Sequence, residues 1–303
     1  MVLNKTVGLT GASGLLGRHI IAVLLKKKYK IIATSRKKPL LKNKNLEWKK
    51  LDLNNNLDSN ILDKLFYSIS ILIHAGATVP IPGKKIIKKY NDKVNILATT
   101  KLAKWSKNKK KHFVYISGSV VYEKHKIPNK ENSKILKNSK NSYINSKIIC
   151  EKKLLSLKRK GLKLTILRPS SLYGWGLGPK KIICKFISKV KNKKNITIEN
   201  VKKSKINLIH AYDVANFIYL IIKKNITGIF NIGNQTTNLY EVAKKVKLLL
   251  KSKIKIFLIS TKNISAKTNQ LSVITSKATK KTKWRPVISL HKGIKCTIGK
   301  KCY

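Results

Sequence analysis

Acidic residues are scarce in this chain: 11 Asp and Glu stand against 68 Lys and Arg in 303 residues, a formal charge of +57. Arginine is scarce too, since Arg18, Arg36, Arg159, Arg168 and Arg285 are the only five among those 68 cations. A surface that reads bases or grips phosphates favours the planar guanidinium fork. Here the lysines instead run along the whole chain in company with abundant Asn and Ile. Lys, Asn and Ile share A- and T-rich codons, so biased nucleotide composition accounts for the excess, and no specific nucleic-acid partner is expected. Like-charge repulsion should still cost stability at low salt.

Paired cysteines are absent. Cys150, Cys184, Cys296 and Cys302 form no C-x-x-C and have no histidine at metal spacing, which predicts scattered reduced thiols, with neither a metal site nor a disulfide frame. Long apolar runs are absent as well: the stretch Phe217 to Ile222 is interrupted upstream by Asn216, far short of the roughly 20 residues a membrane span needs. The first residues read as a strand rather than as a signal segment. A cytoplasmic protein without membrane contact is the expectation, and 303 residues suit one large domain or one and a half.

What is present begins at Thr10-Gly11-Ala12-Ser13-Gly14-Leu15-Leu16-Gly17, a glycine loop between the apolar run Val7-Gly8-Leu9 and an amphipathic helix over Leu15 to Lys28. Glycines spaced three apart let the backbone turn tightly and approach a pyrophosphate, which then rests on the amides and positive dipole end of the helix. This predicts a dinucleotide seat made by Gly11, Ser13, Gly14, Leu15, Leu16 and Gly17. The next strand, Lys30 to Ser35, ends in Ser35-Arg36, where an NAD binder carries an acid for the adenosine ribose. A hydroxyl and a guanidinium suit a 2′-phosphate instead, so NADP is favoured, with NAD as the alternative. A third strand, Leu46 to Leu53, ends at Asp52-Leu53, read as an adenine contact or as a turn aspartate.

A helix is expected over Asp58 to Tyr67, then an apolar strand, Ile69 to Ile73, running into His74-Ala75-Gly76-Ala77. The small residues Ala75, Gly76 and Ala77 would let the backbone pass close to a cofactor, and His74 reads as a packed, hydrogen-bonded histidine. A long helix over about 84 to 107 and a fifth strand, His112 to Ser117, complete a strand–helix alternation. That order predicts an α/β fold, a doubly wound parallel sheet with helices on both faces. Tyr143-Ile144-Asn145-Ser146-Lys147 falls in a helix from about Ser142 to Lys160, and its spacing of four puts Tyr143 and Lys147 on one face. An ammonium one turn away should favour the phenolate and lower the phenol's pKa, equipping Tyr143 to exchange a proton with a substrate hydroxyl or carbonyl.

The glycine loop, Asp52, the His74 to Ala77 segment, a serine-bearing strand end and Tyr143 occur in that order. Arg168-Pro169-Ser170-Ser171-Leu172-Tyr173-Gly174, Ile209-His210-Ala211-Tyr212-Asp213-Val214-Ala215 and Phe230-Asn231-Ile232-Gly233 follow. With this set the chain resembles the extended short-chain dehydrogenase/reductase family, the NAD(P)-dependent epimerase/dehydratase group, over nearly its whole length. The resemblance implies a Rossmann domain over 1–172 with a returning strand near 228–233, and a substrate lobe formed mainly by 173–303. It implies hydride transfer at a hydroxyl or carbonyl carbon. Tyr143 would be the proton-transfer residue and, with Lys147, a cofactor-binding one, Lys147 holding the nicotinamide ribose. A homodimer is a family expectation.

The family's hydroxyl donor stands four residues before the tyrosine of the V-Y segment, and that count from Tyr122 lands on Gly118. Ser117 and Ser119 flank it, and Ser119 is the expected replacement. A nucleotide sugar is the leading substrate, although the arginine that family members carry ahead of I-H-x-x-D is missing from Lys205-Ile206-Asn207-Leu208. Trp284-Arg285-Pro286 reads as a structural tail. Two other classes stay open: a catalytically silent family member that keeps the dinucleotide structurally, and an RNA-binding protein using the lysine surface.

Overall fold

The computed structural model describes residues 5–83, 86–123, 128–199, 205–234, 236–260 and 272–299. The expected helix start at Lys84, and Cys302, lie outside them. In chain order the first half gives β1 (Thr6–Thr10), α1 (Leu15–Lys26), β2 (Lys30–Ser35), β3 (Leu46–Lys50), α2 (Ser59–Phe66) and β4 (Ile71–His74). It continues through α3 (Lys88–Asn91), a π-helical turn (Asp92–Leu97), α4 (Ala98–Asn108), β5 (His112–Ile116), α5 (Ser142–Arg159) and β6 (Leu164–Pro169). The second half gives β7 (Ser171–Tyr173), α6 (Ile182–Lys191), β8 (Ile196–Glu199), β9 (Lys205–His210), α7 (Ala211–Lys224) and β10 (Gly228–Ile232). It ends with β11 (Thr236–Asn238), α8 (Leu239–Leu249), β12 (Ile256–Ile259), α9 (Ser276–Thr282) and α10 (Leu290–Gly299).

Seven strands form one sheet in the order β10-β6-β5-β4-β1-β2-β3, and every pairing in it is parallel. Parallel strands buried on both faces are apolar throughout and send alternate residues to opposite sides. Ile31, Ile71, Ile73, Val114 and Leu167 face a core shared with α1, α7 and α9. Ile32, Leu72, Phe113, Tyr115 and Ile166 face a second core under α2, α4 and α5. This is the expected doubly wound Rossmann arrangement. A third apolar cluster stands apart from the sheet, built from Ile183, Phe186 and Val190 of α6, Val242 and Val246 of α8, and Ile294 of α10.

Three local expectations need correction. The long helix over about 84 to 107 is interrupted by the π turn, because the Asn95 carbonyl takes hydrogen bonds from the Thr99 hydroxyl at 2.5 Å and the Cys150 thiol at 3.0 Å. Side-chain donors that occupy a helix carbonyl compete with the regular amide ladder. β3 stops at Lys50, since the Asp52 carboxylate accepts from the Asn54 amide at 2.9 Å and its carbonyl from Asn55, which closes a turn. Cys150 and Cys184 are free thiols, but Cys296 is disulfide-bonded, contrary to the expected reduced thiol.

Candidate active site

Two glycines of the loop are sterically required. Gly11 has φ of +75°, and a Cβ there would stand 2.6 Å from the Gly76 amide nitrogen; a Cβ on Gly17 would stand 2.1 Å from the Gly11 carbonyl oxygen. The loop closes with the Gly14 amide donating to the Gly11 carbonyl at 3.0 Å. It is fastened from outside by Arg18, whose Nη2 donates to the Ser13 carbonyl at 2.8 Å. α1 then starts with no side-chain cap, so its first amides, those of Leu15, Leu16 and Gly17, have no carbonyl within the helix to bond. These amides and the positive helix end fit an anionic pyrophosphate. Leu15 and Leu16 offer only backbone, because their side chains pack into the core.

The loop floors a cavity. Gly11, Ser13 and Gly14 meet Ser35, Arg36, Asp52, Leu53, Ala75, Gly76 and Ala77 there, together with Thr10, Thr34, Thr78, Tyr90 and Val94. Strand ends bring them together: the carboxyl ends of β1, β2, β3 and β4 lie side by side, where a parallel sheet presents its ligand crevice. The Ser35 hydroxyl donates to the Lys37 carbonyl at 2.6 Å and accepts from Trp48 Nε1 at 3.1 Å, while the exposed Arg36 reaches the Tyr90 hydroxyl. His74 is buried between two threonine hydroxyls, Thr10 at 2.6 Å and Thr99 at 2.8 Å. Burial pushes its pKa down to about 3, so it stays a neutral packing residue.

Tyr143 and Lys147 stand beyond the lining of this cavity, on α5. The Asn141 side chain caps that helix through the amides of Tyr143 and Ile144, which fixes Tyr143 in its first turn. Lys147 is 4% exposed; its Nζ donates to the Ile116 carbonyl at 2.7 Å and sits 5.7 Å from the Tyr143 ring centroid. Burial lowers the Lys147 pKa to about 8 and raises that of Tyr143 to about 12. The expected depression of the phenol is therefore reversed in the protein alone, because desolvation outweighs an ammonium that lies over the ring rather than against the oxygen.

Asn95 joins the two regions. Its Oδ1 accepts from the Thr78 amide at 2.7 Å, and its Nδ2 is shared among the Thr78 carbonyl, Asn91 Oδ1 and Ser146 Oγ. Ser146 in turn donates to the Tyr143 carbonyl at 2.7 Å. One amide thus links the loop lining the cavity to the helix carrying Tyr143. Sequence gives no reason to single out Asn95 or Tyr90; the spacing of four between Asn91 and Asn95 is the only trace.

Ser117 and Ser119 are placed differently. Ser117 donates to Glu151 Oε1 at 2.5 Å inside a buried network in which Arg168 pairs with Glu151 at 2.5 Å and donates to the Tyr122 hydroxyl at 2.8 Å. Ser119 lies in a 3₁₀ turn, and among the described residues its hydroxyl makes no hydrogen bond. Gly118 between them is extended, with φ of −177°.

Lys181 donates to the Pro80 carbonyl at 3.0 Å, so the start of α6 meets the chain that follows Thr78. That helix has no side-chain cap and no acid in its first turn. Lys205 is exposed at the start of β9. Trp284 is buried, its Nε1 donating to the Asp213 carbonyl at 3.0 Å, a packing role. Among the described residues no group of three or more His, Cys, Asp or Glu is placed to hold a metal. No described helix is long and apolar enough to cross a membrane.

Known proteins share this chain's sequence pattern and fold. The chain is 32% identical to a dTDP-D-glucose 4,6-dehydratase of Dictyostelium discoideum over 78% of its own length, spanning 60% of that protein. It is 25% identical to a dTDP-D-glucose 4,6-dehydratase of Bos taurus over 97% of its length and 88% of the other. In fold it is similar to a Thermotoga maritima UDP-glucose 4-epimerase solved with UDP-glucose, at TM-score 0.84 and 20% identity over 98% of both chains. It is also similar to a Bacillus cereus UDP-glucuronic acid 4-epimerase solved with NAD, at TM-score 0.83 and 21% identity over 98% of both chains. A family model described as the NAD dependent epimerase/dehydratase family matches residues 7–233. The chain belongs to the NAD dependent epimerase/dehydratase family.

Proposed function

We propose that the protein is an NADP-preferring enzyme that converts a nucleotide sugar by hydride transfer at a hydroxyl or carbonyl carbon. The observation that carries this reading is the Asn95 link, which ties the glycine-loop cavity to the helix bearing Tyr143 and Lys147. Residues 1–172 with 228–233 serve the dinucleotide, and the rest of 173–303 forms the substrate lobe; the separate apolar cluster of α6, α8 and α10 supports that division. The names of the relatives support a nucleotide sugar. The uncapped, lysine-flanked start of α6 offers amides and positive charge to a diphosphate. Arg36, with no acid at the end of β2, supports NADP. In this reading the enzyme is a homodimer, as the family resemblance implies.

When bound, the dinucleotide supplies the hydride acceptor and donor. Tyr143, held as a phenol by burial, gives its proton to a carbonyl oxygen as that carbon is reduced, and takes it back from the hydroxyl in the reverse direction. Lys147 holds positive charge beneath the tyrosine ring and favours the phenolate when the proton leaves. Ser119, with an uncommitted hydroxyl, donates to the same substrate oxygen. The test is a screen of UDP- and dTDP-sugars and small ketones with NADP and NAD, following nicotinamide absorbance and sugar products together, since absorbance alone misses an epimerase. Conversion of a nucleotide sugar supports the reading; turnover of simple ketones alone contradicts its substrate.

A catalytically silent role has one observation in its favour, the absence of a hydroxyl at Gly118. Dinucleotide bound with no conversion of any sugar in the same screen would favour it.

A further inference from the structure

Two side chains from separate elements meet at the cavity. Arg36 follows β2 and Tyr90 belongs to α3, and Arg36 Nη1 donates to the Tyr90 hydroxyl at 3.1 Å. Both residues line the cavity that Gly11 and Ser13 floor. Among the described residues no carboxylate pairs with Arg36, so the phenol is its side-chain partner. The turn on which Arg36 sits is fixed from behind, because Ser35 is hydrogen-bonded to the Lys37 carbonyl and to Trp48.

We propose that Tyr90 is a positioning residue for cofactor selection, holding the Arg36 guanidinium at the cavity so that its remaining N–H groups meet a 2′-phosphate. This rests on the reading that Arg36 selects NADP. A guanidinium carries five N–H donors, and the phenol takes one, leaving a fork for the phosphate oxygens. A free arginine on a rim is spread over many rotamers and must be immobilised when the ligand arrives; an arginine already tethered loses less freedom on binding. The Ser35 hydroxyl directs its O–H to the Lys37 carbonyl and not to the phosphate, which leaves Arg36 as the residue for Tyr90 to position. Lys37 and Lys38 are the competing cations, but a lysine there needs no help from Tyr90.

The experiment measures dissociation constants of 2′,5′-ADP and 5′-AMP for the whole chain and for Tyr90→Phe and Arg36→Leu, with NADPH and NADH as a second pair. Tyr90→Phe removes one oxygen and keeps the ring. It is expected to weaken 2′,5′-ADP about five- to tenfold while leaving 5′-AMP within about twofold. Arg36→Leu is expected to abolish the preference for the 2′-phosphate. Equal weakening of both nucleotides by Tyr90→Phe, or no change in either, overturns the positioning role while NADP selection by Arg36 stands. If Arg36→Leu leaves the preference intact, the NADP reading fails and the role of Tyr90 falls with it.

Discussion

The Ser117 hydroxyl is donated to Glu151 within a network that also holds Arg168 and Tyr122, whereas the Ser119 hydroxyl is uncommitted. Two residues apart in sequence, they are separated by the turn that Gly118 begins. Replacing Ser119 with Ala should lower kcat about a hundredfold, the usual cost of one oxyanion donor, with little change in nucleotide affinity. A Cβ at Gly118 would meet Val120 Cγ2 at 3.5 Å and the Pro169 carbonyl at 3.8 Å, ordinary contacts, so Gly118→Ser is tolerated. In the Ser119→Ala background it should recover part of the lost turnover. Unchanged turnover in Ser119→Ala would remove that residue from the site.

α1 shows most clearly how far local sequence reaches. Its glycine spacing, apolar face and missing cap are all visible in the residues, and the helix forms where that pattern puts it. Gly17→Ala should weaken dinucleotide binding more than tenfold and lower stability by about 1–3 kcal/mol, because its Cβ would overlap the Gly11 carbonyl oxygen; wild-type affinity in that variant would contradict the loop's role. The parallel strands were equally legible, being short apolar runs between helical patterns. The π turn was not, because it depends on Thr99 and Cys150 converging on one carbonyl, and Cys150 comes from another helix. Likewise Asn95 and Tyr90 draw their meaning from chain segments 17 and 54 residues away. The rise in the Tyr143 pKa was hidden for a related reason: spacing places an ammonium one turn away but says nothing of how deeply the phenol is buried.

Only 11 acids balance 68 cations, and two of those acids, Glu151 and Asp213, are wholly buried. Glu151 is taken up by Arg168, and Asp213 accepts the amides of Val287 and Ile288, so the surface is more lopsided than composition suggests. The melting temperature should rise between low salt and about 0.15 M, where the screening length falls to about 8 Å; no rise would mean that repulsion is not a destabilising force here. Acid should destabilise the fold. His19, His74, His112 and His210 are buried, with pKa values pushed from 6.5 to about 4, 3, 4 and 3 by desolvation. As pH falls below 6.5 the unfolded chain takes up protons that these folded imidazoles refuse, so their contribution is intact above that pH and declines toward pH 4. The decline is up to about 1.4 kcal/mol per pH unit for each histidine. Asp213 works the other way between its unfolded value of 3.8 and about 6, offsetting one histidine. Denaturant midpoints at pH 7.5, 6 and 5 should therefore fall in that order, and a flat series would contradict the burial of these imidazoles.

The claim on which the whole molecule turns is that the dinucleotide crevice serves proton and hydride transfer through Tyr143. The direct measurement is nucleotide-sugar product formed per enzyme by wild type and by Tyr143→Phe, each saturated with cofactor whose binding is measured in the same samples. Conversion by the wild type that falls at least a hundredfold in Tyr143→Phe, with cofactor affinity within about twofold, is the predicted result. Equal turnover by both proteins, or none by the wild type on any nucleotide sugar, would contradict it.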